Sequence, residues 1–452
     1  MLKIATSQAR LEAARGKALR SKVPRTQHGV WRVPAGRCDP LELLDLAAKG
    51  RLPYLVPLRN ARMFDSPFSF YRGSAIIMAA DLASTPRTGL FVGACGDAHC
   101  SNFGGFATPE RNTIFDVNDF DETLTGPWEW DIKRLVTSLI LAGRHNGHSE
   151  RQTSLSALAA AQAYRVRMRE FAVAPALDVW YSKLDATKIL NQAKVAEVTT
   201  HRNKVVVEAA TTSIQAAIEK LTERKGDSWR FRDDPPILFH SAETEKTGFD
   251  IEAILSEYEK TLPVDVYQLL KRYKLVDQAI KIVGVGSVGT RCGIALLVAD
   301  DHDAILLQIK EARASVLESH LEPSPYANHG ERVVRGQRMM QAASDLFLGW
   351  ASSGDHDFYV RQFKDMKASA ELDDVEPSQL REYARYCGWA LAAAHARSGS
   401  APAISGYIGR STTFDGALLQ FAHLYAEQSE RDYERFCDSV RTGDTAVAKD
   451  AA

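Results

Sequence analysis

Residues 95–122 read Cys-Gly-Asp-Ala-His-Cys-Ser-Asn-Phe-Gly-Gly-Phe-Ala-Thr-Pro-Glu-Arg-Asn-Thr-Ile-Phe-Asp-Val-Asn-Asp-Phe-Asp-Glu. Pro109 to Asn112 are turn formers set between two strand-like runs, so Asn102–Asp119 predicts a β-hairpin. The apolar run Thr88–Cys95, ending in small residues, predicts a buried strand just before it. Apart from Glu110 in the turn, the stretch carries Asp97, Asp116, Asp119, Asp121 and Glu122. Asp97 and Asp119 each follow a strand-like run directly, and strand ends can converge on one small volume. Like charges brought together shift one another's titration, which a fold tolerates mainly where a cation or a catalytic role compensates. Asp and Asn are hard oxygen ligands, suited to Mg²⁺ with phosphate oxygens completing the shell.

A second stretch decides what this chemistry could serve. Lys281–Ala312 reads as strand, Gly-rich turn (Gly284-Val-Gly286-Ser287-Val-Gly289-Thr290), strand, short turn, strand, with Lys310 on the last. Successive backbone N–H groups in such a turn can bind phosphates, and a lysine on a neighbouring strand can reach the same oxygens. A strand follows the glycines, whereas a dinucleotide-binding site needs a helix there. Strand–turn–strand instead fits the loop that caps a nucleotide in kinases. Lys310 lies in an apolar run, Ile-Leu-Leu-Gln-Ile-Lys-Glu-Ala, so it needs a partner if buried. A lysine on an edge strand, pointing to water, is the alternative.

Outward from these stretches the pattern is mostly helical. Ser66–Leu82 predicts one helix, with Ser66 as N-cap and Pro67 in its first turn. Arg72 on it reads as a phosphate or carboxylate partner, or as half of a buried structural ion pair. Ile132–Ala142, Ser154–Phe171, Val205–Leu221 and Ile251–Tyr273 carry apolar residues at helical spacing, and the polar, turn-rich 222–247 predicts a boundary. A helix over roughly Glu331–Asp345 is expected between the lysine strand and two strand-like runs, Leu346–Ser352 and Asp357–Phe363. Arg332, Arg335 and Arg338 on it read as a solvated face. Two long helices, Ser378–His395 and Phe414–Val440, close the chain, while residues 1–60 read as an arm with one clear helix, Leu41–Ala48.

The 452 residues, 45% apolar and 25% charged, are ordinary globular values with material for sizeable cores. Lys plus Arg number 56 and Asp plus Glu 57, which argues against a nucleic-acid partner. Six cysteines without a Cys-x-x-Cys pair make no disulfide framework, and Cys95, His99 and Cys100 lack a fourth ligand for zinc. No apolar run reaches membrane-helix length and no signal-peptide core opens the chain, so the expected location is the cytoplasm.

Together these parts resemble the protein-kinase-like fold, and especially the aminoglycoside and choline phosphotransferases. Cys95–Asn102 is similar to their His-Gly-Asp-x-His-x-x-Asn loop, with Cys95 in place of the first His. Asn118–Leu135 is similar to their metal-binding segment. The resemblance implies Asp97 as base or orienter of an acceptor hydroxyl, Asn102 and Asp119 as Mg²⁺ ligands, and Asp131 as an acid bracing the loop. Asp119 is preferred to Asp116 because Phe120 and Asp121 continue the pattern. Gly284, Gly286, Ser287 and Gly289 become the phosphate lid, and Lys310 the lysine on the α- and β-phosphates. Its usual helix glutamate would be Glu331 or Glu318. In kinases these latter parts come first; here they follow, and Tyr386–Gly399 looks like the helix that should lead into the catalytic loop. A circular permutation accounts for both.

A second resemblance covers nearly the whole chain. Arg62–Gly73, Cys95–Gly104, Gly284–Cys292, Gln308–Ala312 and Gly336–Trp350 are similar to the uncharacterised bacterial domain-of-unknown-function family 2252. The expected fold is therefore α+β: an arm (1–60), a mainly helical large lobe (61–275), a small lobe with an antiparallel sheet (276–370) and C-terminal helices (371–452). The expected function is Mg²⁺-ATP-dependent phosphoryl transfer to a hydroxyl of a small molecule or protein. Adenylyl transfer in the same cleft, nucleotide binding without turnover and metal-dependent hydrolysis are the rivals.

Overall fold

The computed structural model describes residues 7–185, 214–226, 228–240, 249–282, 284–300, 303–363, 368–369 and 371–448, which form a mixed α+β fold. The chain opens with helices α1 (Ser7–Ala18), α2 (Pro40–Ala48), α3 (Val56–Phe64), α4 (Pro67–Gly73) and α5 (Ala75–Ala83). Ser66 caps α4 by accepting from Ser69 N at 3.1 Å, as its sequence suggested. The expected single helix is two, because Ser74 leaves the helical region (φ −120°, ψ 39°). The break presents the Gly73 carbonyl to the buried Arg59, whose Nη2 donates to it at 2.6 Å.

Next come β1 (Phe91–Ala94), β2 (Phe103–Ala107), β3 (Thr113–Val117), β4 (Leu124–Pro127), α6 (Trp128–His145), α7 (Glu150–Phe171), α8 (Ala176–Trp180) and β5 (Leu184–Asp185). The expected hairpin is β2–β3, with Phe103 opposite Val117, while β1 pairs with β4. Every residue of α6 from Trp128 to Gly143 is buried, so this helix is the axis of the helical region.

Of the expected helix Val205–Leu221, residues 205–213 lie outside the described residues, and the rest is α9 (Ile214–Leu221). The expected boundary at 222–247 instead contains a hairpin, β6 (Thr222–Lys225) and β7 (Ser228–Phe231), and then β8 (Leu238–Phe239); residues 227 and 241–248 lie outside the description. Phe231 and Leu238 are buried against Ala279, Ile294 and Leu306. Such two- to four-residue runs are too short to show a period, which is why composition hid them. Ile251–Tyr273 divides at Pro263 into α10 (Ile251–Glu259) and α11 (Val264–Leu270).

The principal sheet follows: β9 (Lys274–Lys281), β10 (Cys292–Asp300), β11 (Asp303–Ala312), α12 (His329–Met340), β12 (Gly349–Ser353) and β13 (His356–Gln362). Its order is β12-β13-β11-β10-β9-β8, and every pairing is antiparallel. Ile305, Leu307 and Ile309 of β11 pack with Ile254 and Tyr258 of α10 on one face. By the two-residue alternation, Leu306, Gln308 and Lys310 face the other side. After β14 (Ala368–Ser369) the chain ends in α13 (Pro377–Ser398), α14 (Ala401–Ile408) and α15 (Thr413–Thr442). These pack with α6 and α7 in the largest core, which includes Leu135, Leu139, Tyr164, Leu391 and Phe421. The C-terminal end of α13 abuts the start of β1: Ser398 Oγ reaches the Gly93 carbonyl at 3.5 Å, and a Cβ on Gly399 would stand 2.6 Å from Val92 Cγ1. Among the described residues no helix is long and apolar enough to cross a membrane.

Candidate active site

The loop after β1 is held from below by Asp131 in the first turn of α6. Its Oδ2 accepts from Cys95 N at 2.6 Å and its Oδ1 from Gly96 N at 3.0 Å. His395 of α13 places Nε2 3.1 Å from the same Oδ2, and Tyr164 OH is 2.8 Å from His395 Nδ1. Gly96 has φ +77°, and a Cβ there would stand 2.4 Å from the Glu122 carbonyl oxygen. Only glycine makes this turn. Asp131, implied as a brace, thus ties β1, α6 and α13 together.

Beyond the turn, Asp97 is 18% exposed at its side chain, and its Oδ1 accepts from Arg134 Nε, three residues along α6 from Asp131. His99 Nε2 lies 3.8 Å from Asp97 Oδ2. Burial pushes the Asp97 carboxyl up to about 6, against the downward pull of Arg134 and Arg72; Asp119 adds to the rise. The Asn102 amide nitrogen donates to the Asp97 carbonyl at 2.8 Å, which leaves its carbonyl oxygen as the atom available to a cation. Asn118 N donates to the Asn102 carbonyl at 2.9 Å, extending the β2–β3 ladder by one rung. The hairpin therefore puts Asn102 opposite Asn118, one residue before Asp119.

The five acids of this stretch divide by role. Asp116 is 2% exposed, accepting from Val117 N at 2.9 Å and Ala342 N at 3.0 Å, with Arg397 at 3.8 Å. Glu122 accepts from Val316 N at 2.7 Å. Both are structural. Asp97, Asp119 and Asp121 remain on the cleft, where Asp119 spends one oxygen on Asp121 N at 3.1 Å.

Lys310 meets this floor from above. Its side chain is 3% exposed and interior, on a strand flanked by β10 and β13, so the edge-strand alternative fails. Its Nζ donates to Asp121 Oδ2 at 2.7 Å. Tyr359 OH donates to Asp121 Oδ1 at 2.6 Å, and Ser287 Oγ of the glycine turn to Oδ2 at 3.2 Å. Burial would raise the Asp121 carboxyl, but Lys310 and Tyr359 hold it down at about 2. Burial would likewise lower the Lys310 ammonium; Asp121, Tyr359 and Asp119 outweigh it and keep Lys310 charged. Gly284 and Gly289 take φ +64° and +91°, a backbone conformation that favours glycine. Its carbonyls face outward to arginines: Arg62 donates to Gly284, and Arg51 Nη1 to Gly286 at 2.9 Å and Val288 at 2.6 Å.

Neither helix glutamate partners Lys310. Glu331 holds Arg335 at 3.0 Å, and Glu318 lies 3.8 Å from Arg332 and 3.9 Å from His329. The face Arg332–Arg335–Arg338 is not uniformly solvated either. Arg332 is 3% exposed and donates to the carbonyls of Thr123, Asp121 and Arg313 at 2.5 Å, 2.8 Å and 2.7 Å, pinning the acidic segment to α12. The sequence reading missed Arg134, Tyr359 and Arg361. Arg361 influences Asp121 from β13, one strand over from Lys310. Arg134, in a helix that is buried on every side, gives no local signal, whereas Tyr359 and Arg361, two residues apart on β13, share one strand face by the two-residue alternation. Among the described residues no group of three or more His, Cys, Asp or Glu is arranged to hold a metal ion. A site built on Asn102 and Asp119 would need its remaining ligands from the phosphates, as hard-cation nucleotide sites do.

Three half-buried carboxylates, Asp97, Asp119 and Asp121, with a glycine turn and a charged lysine meeting Asp121, make one polar cluster in an α+β protein. The chain belongs to the family described as uncharacterized protein conserved in bacteria (DUF2252), which it matches over residues 51–439. No curated protein and no solved structure matches it.

Proposed function

We propose that the chain is a Mg²⁺-ATP-dependent phosphotransferase of kinase-like build, with its roof placed after its floor in sequence. The contact between Lys310 and Asp121, 189 positions apart, carries the reading. It supports one cleft between the glycine turn and the acidic segment, where two independent domains would scatter the two motifs. The order strand, glycine turn, strand, lysine strand, helix, two strands is that of the part of a kinase that covers a nucleotide. The end of α13 against the start of β1 is where a permuted chain would have been joined.

In this reading the turn's N–H groups and Lys310 bind the ATP phosphates, so Lys310 exchanges Asp121 for phosphate oxygens. Asn102 and Asp119 hold Mg²⁺, which supplies charge neutralisation at the phosphates. Arg134 fixes Asp97 through Oδ1, leaving Oδ2 to orient the acceptor hydroxyl and take its proton. The acceptor oxygen bonds to the γ-phosphorus as the bond to the β–γ bridging oxygen breaks, and ADP leaves with that electron pair. Rate enhancement comes from positioning and neutralisation. Incubation with γ- and α-labelled ATP, with and without Mg²⁺, tests the reading. Transfer of the γ label supports it; transfer of the α label makes the protein an adenylyl transferase, and retention of both labels on nucleotide removes the transfer.

A further inference from the structure

Arg72, in the last turn of α4, is a half-buried cation whose side chain no described residue bonds. Its guanidinium makes no hydrogen bond and no ion pair with any described residue, and its Nε is buried. The Phe68 ring, 5.8 Å away, is its packing partner. The carbonyl of Tyr71, the residue before Arg72, accepts from Arg134 Nη2 at 3.0 Å, and Arg134 in turn bonds Asp97, so Arg72 is set on the Asp97 side of the site. Asp97 already has its Oδ1 bound to Arg134. His99 adds no negative charge: burial first, then Arg72 and Arg134, keep it neutral, and its buried Nδ1 also lacks a partner. Arg134 thus occupies Asp97, and Asp119 spends an oxygen on Asp121 N, so no carboxylate is bonded to Arg72 among the described residues.

The neighbouring wall has the same character. Arg51, Arg59 and Arg62 donate only to main-chain carbonyls and form no ion pair with a described carboxylate. The Arg72 carbonyl itself lies 3.7 Å from where a Cβ on Gly286 would stand, so Arg72 belongs to the segment directly beside the phosphate turn. Leaving buried donors of a charged group unmade is costly. A planar guanidinium is built to bind a carboxylate or phosphate through two parallel bonds.

We propose that the acceptor carries an oxyanion, a phosphate or carboxylate on a hydroxyl compound, and that Arg72 binds that group beside Asp97. The word acceptor rests on the phosphotransferase reading; the anion site does not. A cationic or neutral hydroxyl compound would leave Arg72 unsatisfied and would be a poor substrate.

Thermal unfolding of the full chain with inorganic phosphate, at matched ionic strength and without nucleotide, tests the site. Phosphate raises the melting temperature of the wild type. Arg72→Gln weakens the apparent phosphate affinity at least about tenfold, as loss of a charge-assisted pair requires, and Arg72→Lys recovers part of it. Without phosphate, Arg72→Gln melts within a few degrees of the wild type, because the Phe68 ring is the partner it loses. Lys310→Met keeps the phosphate response. An unresponsive wild type, an Arg72→Gln protein that responds normally, or one that unfolds without phosphate overturns the proposal. Loss of the response in Lys310→Met would move the anion to the nucleotide side and overturn it equally. Failure of the phosphotransferase reading shows separately, as absent label transfer with the phosphate response intact.

Discussion

Two ion pairs bound the cleft, and they are built oppositely. Arg134–Asp97 joins residues 37 positions apart, on a helix and a loop that share the largest core. Lys310–Asp121 joins a sheet to a floor across 189 positions, and Ser287 and Tyr359 reach the same carboxylate. Asp121 has three donors and is held down at about 2. Asp97, buried with one strong donor and carboxylate neighbours, is pushed up to about 6. Burial acts on both, and the number of hydrogen-bonded cations and hydroxyls decides which way each goes. A carboxyl near 6 is suited to take a proton at neutral pH, and one near 2 to stay a fixed anion.

The comparison breaks first at catalysis. Asp97→Ala should lower phosphoryl transfer at least about a thousandfold, since both base and orienter are lost, while Mg²⁺-ATP still raises the melting temperature. A variant that keeps its rate would remove Asp97 from the chemistry.

Next is the brace under Asp97. Asp131→Ala strands the Cys95 and Gly96 N–H groups and His395 in the core, at a cost of about 3 kcal/mol or more. The urea midpoint should fall accordingly, and a drop no larger than that of a surface substitution would make the brace dispensable.

The pH dependence of stability separates the two carboxyls. Asp97 binds its proton more tightly folded, at about 6, than at its ordinary 3.8, so its contribution is complete below 3.8 and is lost as pH rises through 6. That is about 3 kcal/mol, by 1.36 kcal/mol per unit. Asp121 runs the other way, held down by Lys310 and Tyr359: its contribution is complete above 3.8 and is lost as pH falls through about 2. Asp97→Asn should abolish the decline between pH 4 and 6, and Asp121→Asn the rise between pH 2 and 4, both read by denaturant unfolding. An exchange of those windows would reverse the roles.

The smallest effect concerns the metal. Asp119→Asn should weaken Mg²⁺-dependent ATP binding about tenfold, whereas Asp116→Asn should leave it unchanged, because Asp116 is occupied by Val117 and Ala342. Isothermal titration with and without Mg²⁺ decides between them.

Much of the site was legible before the fold. Turn residues between two strand-like runs marked the β2–β3 hairpin, and that hairpin sets Asn102 opposite Asn118, one residue before Asp119. Glycines between apolar runs marked the glycine turn, and the lysine in an apolar strand announced a need for a partner. Other features were hidden. The helix α1 has little apolar patterning, and the short strands of 222–239 are below the length at which a period shows. Arg332 shares its helix face with Arg335 and Arg338, and nothing in the spacing says which of the three is buried.

The sequence by itself determined the chemical inventory and its local geometry, because turn formation and two-residue alternation depend on neighbours along the chain. Only the tertiary structure decided that Lys310 takes Asp121 rather than Glu331 or Glu318, that Arg134 holds Asp97, and that Arg72 is left without a carboxylate. Those choices depend on how the sheet seats on the helical region, where a shift of one residue on β11 would turn Lys310 away from the cleft.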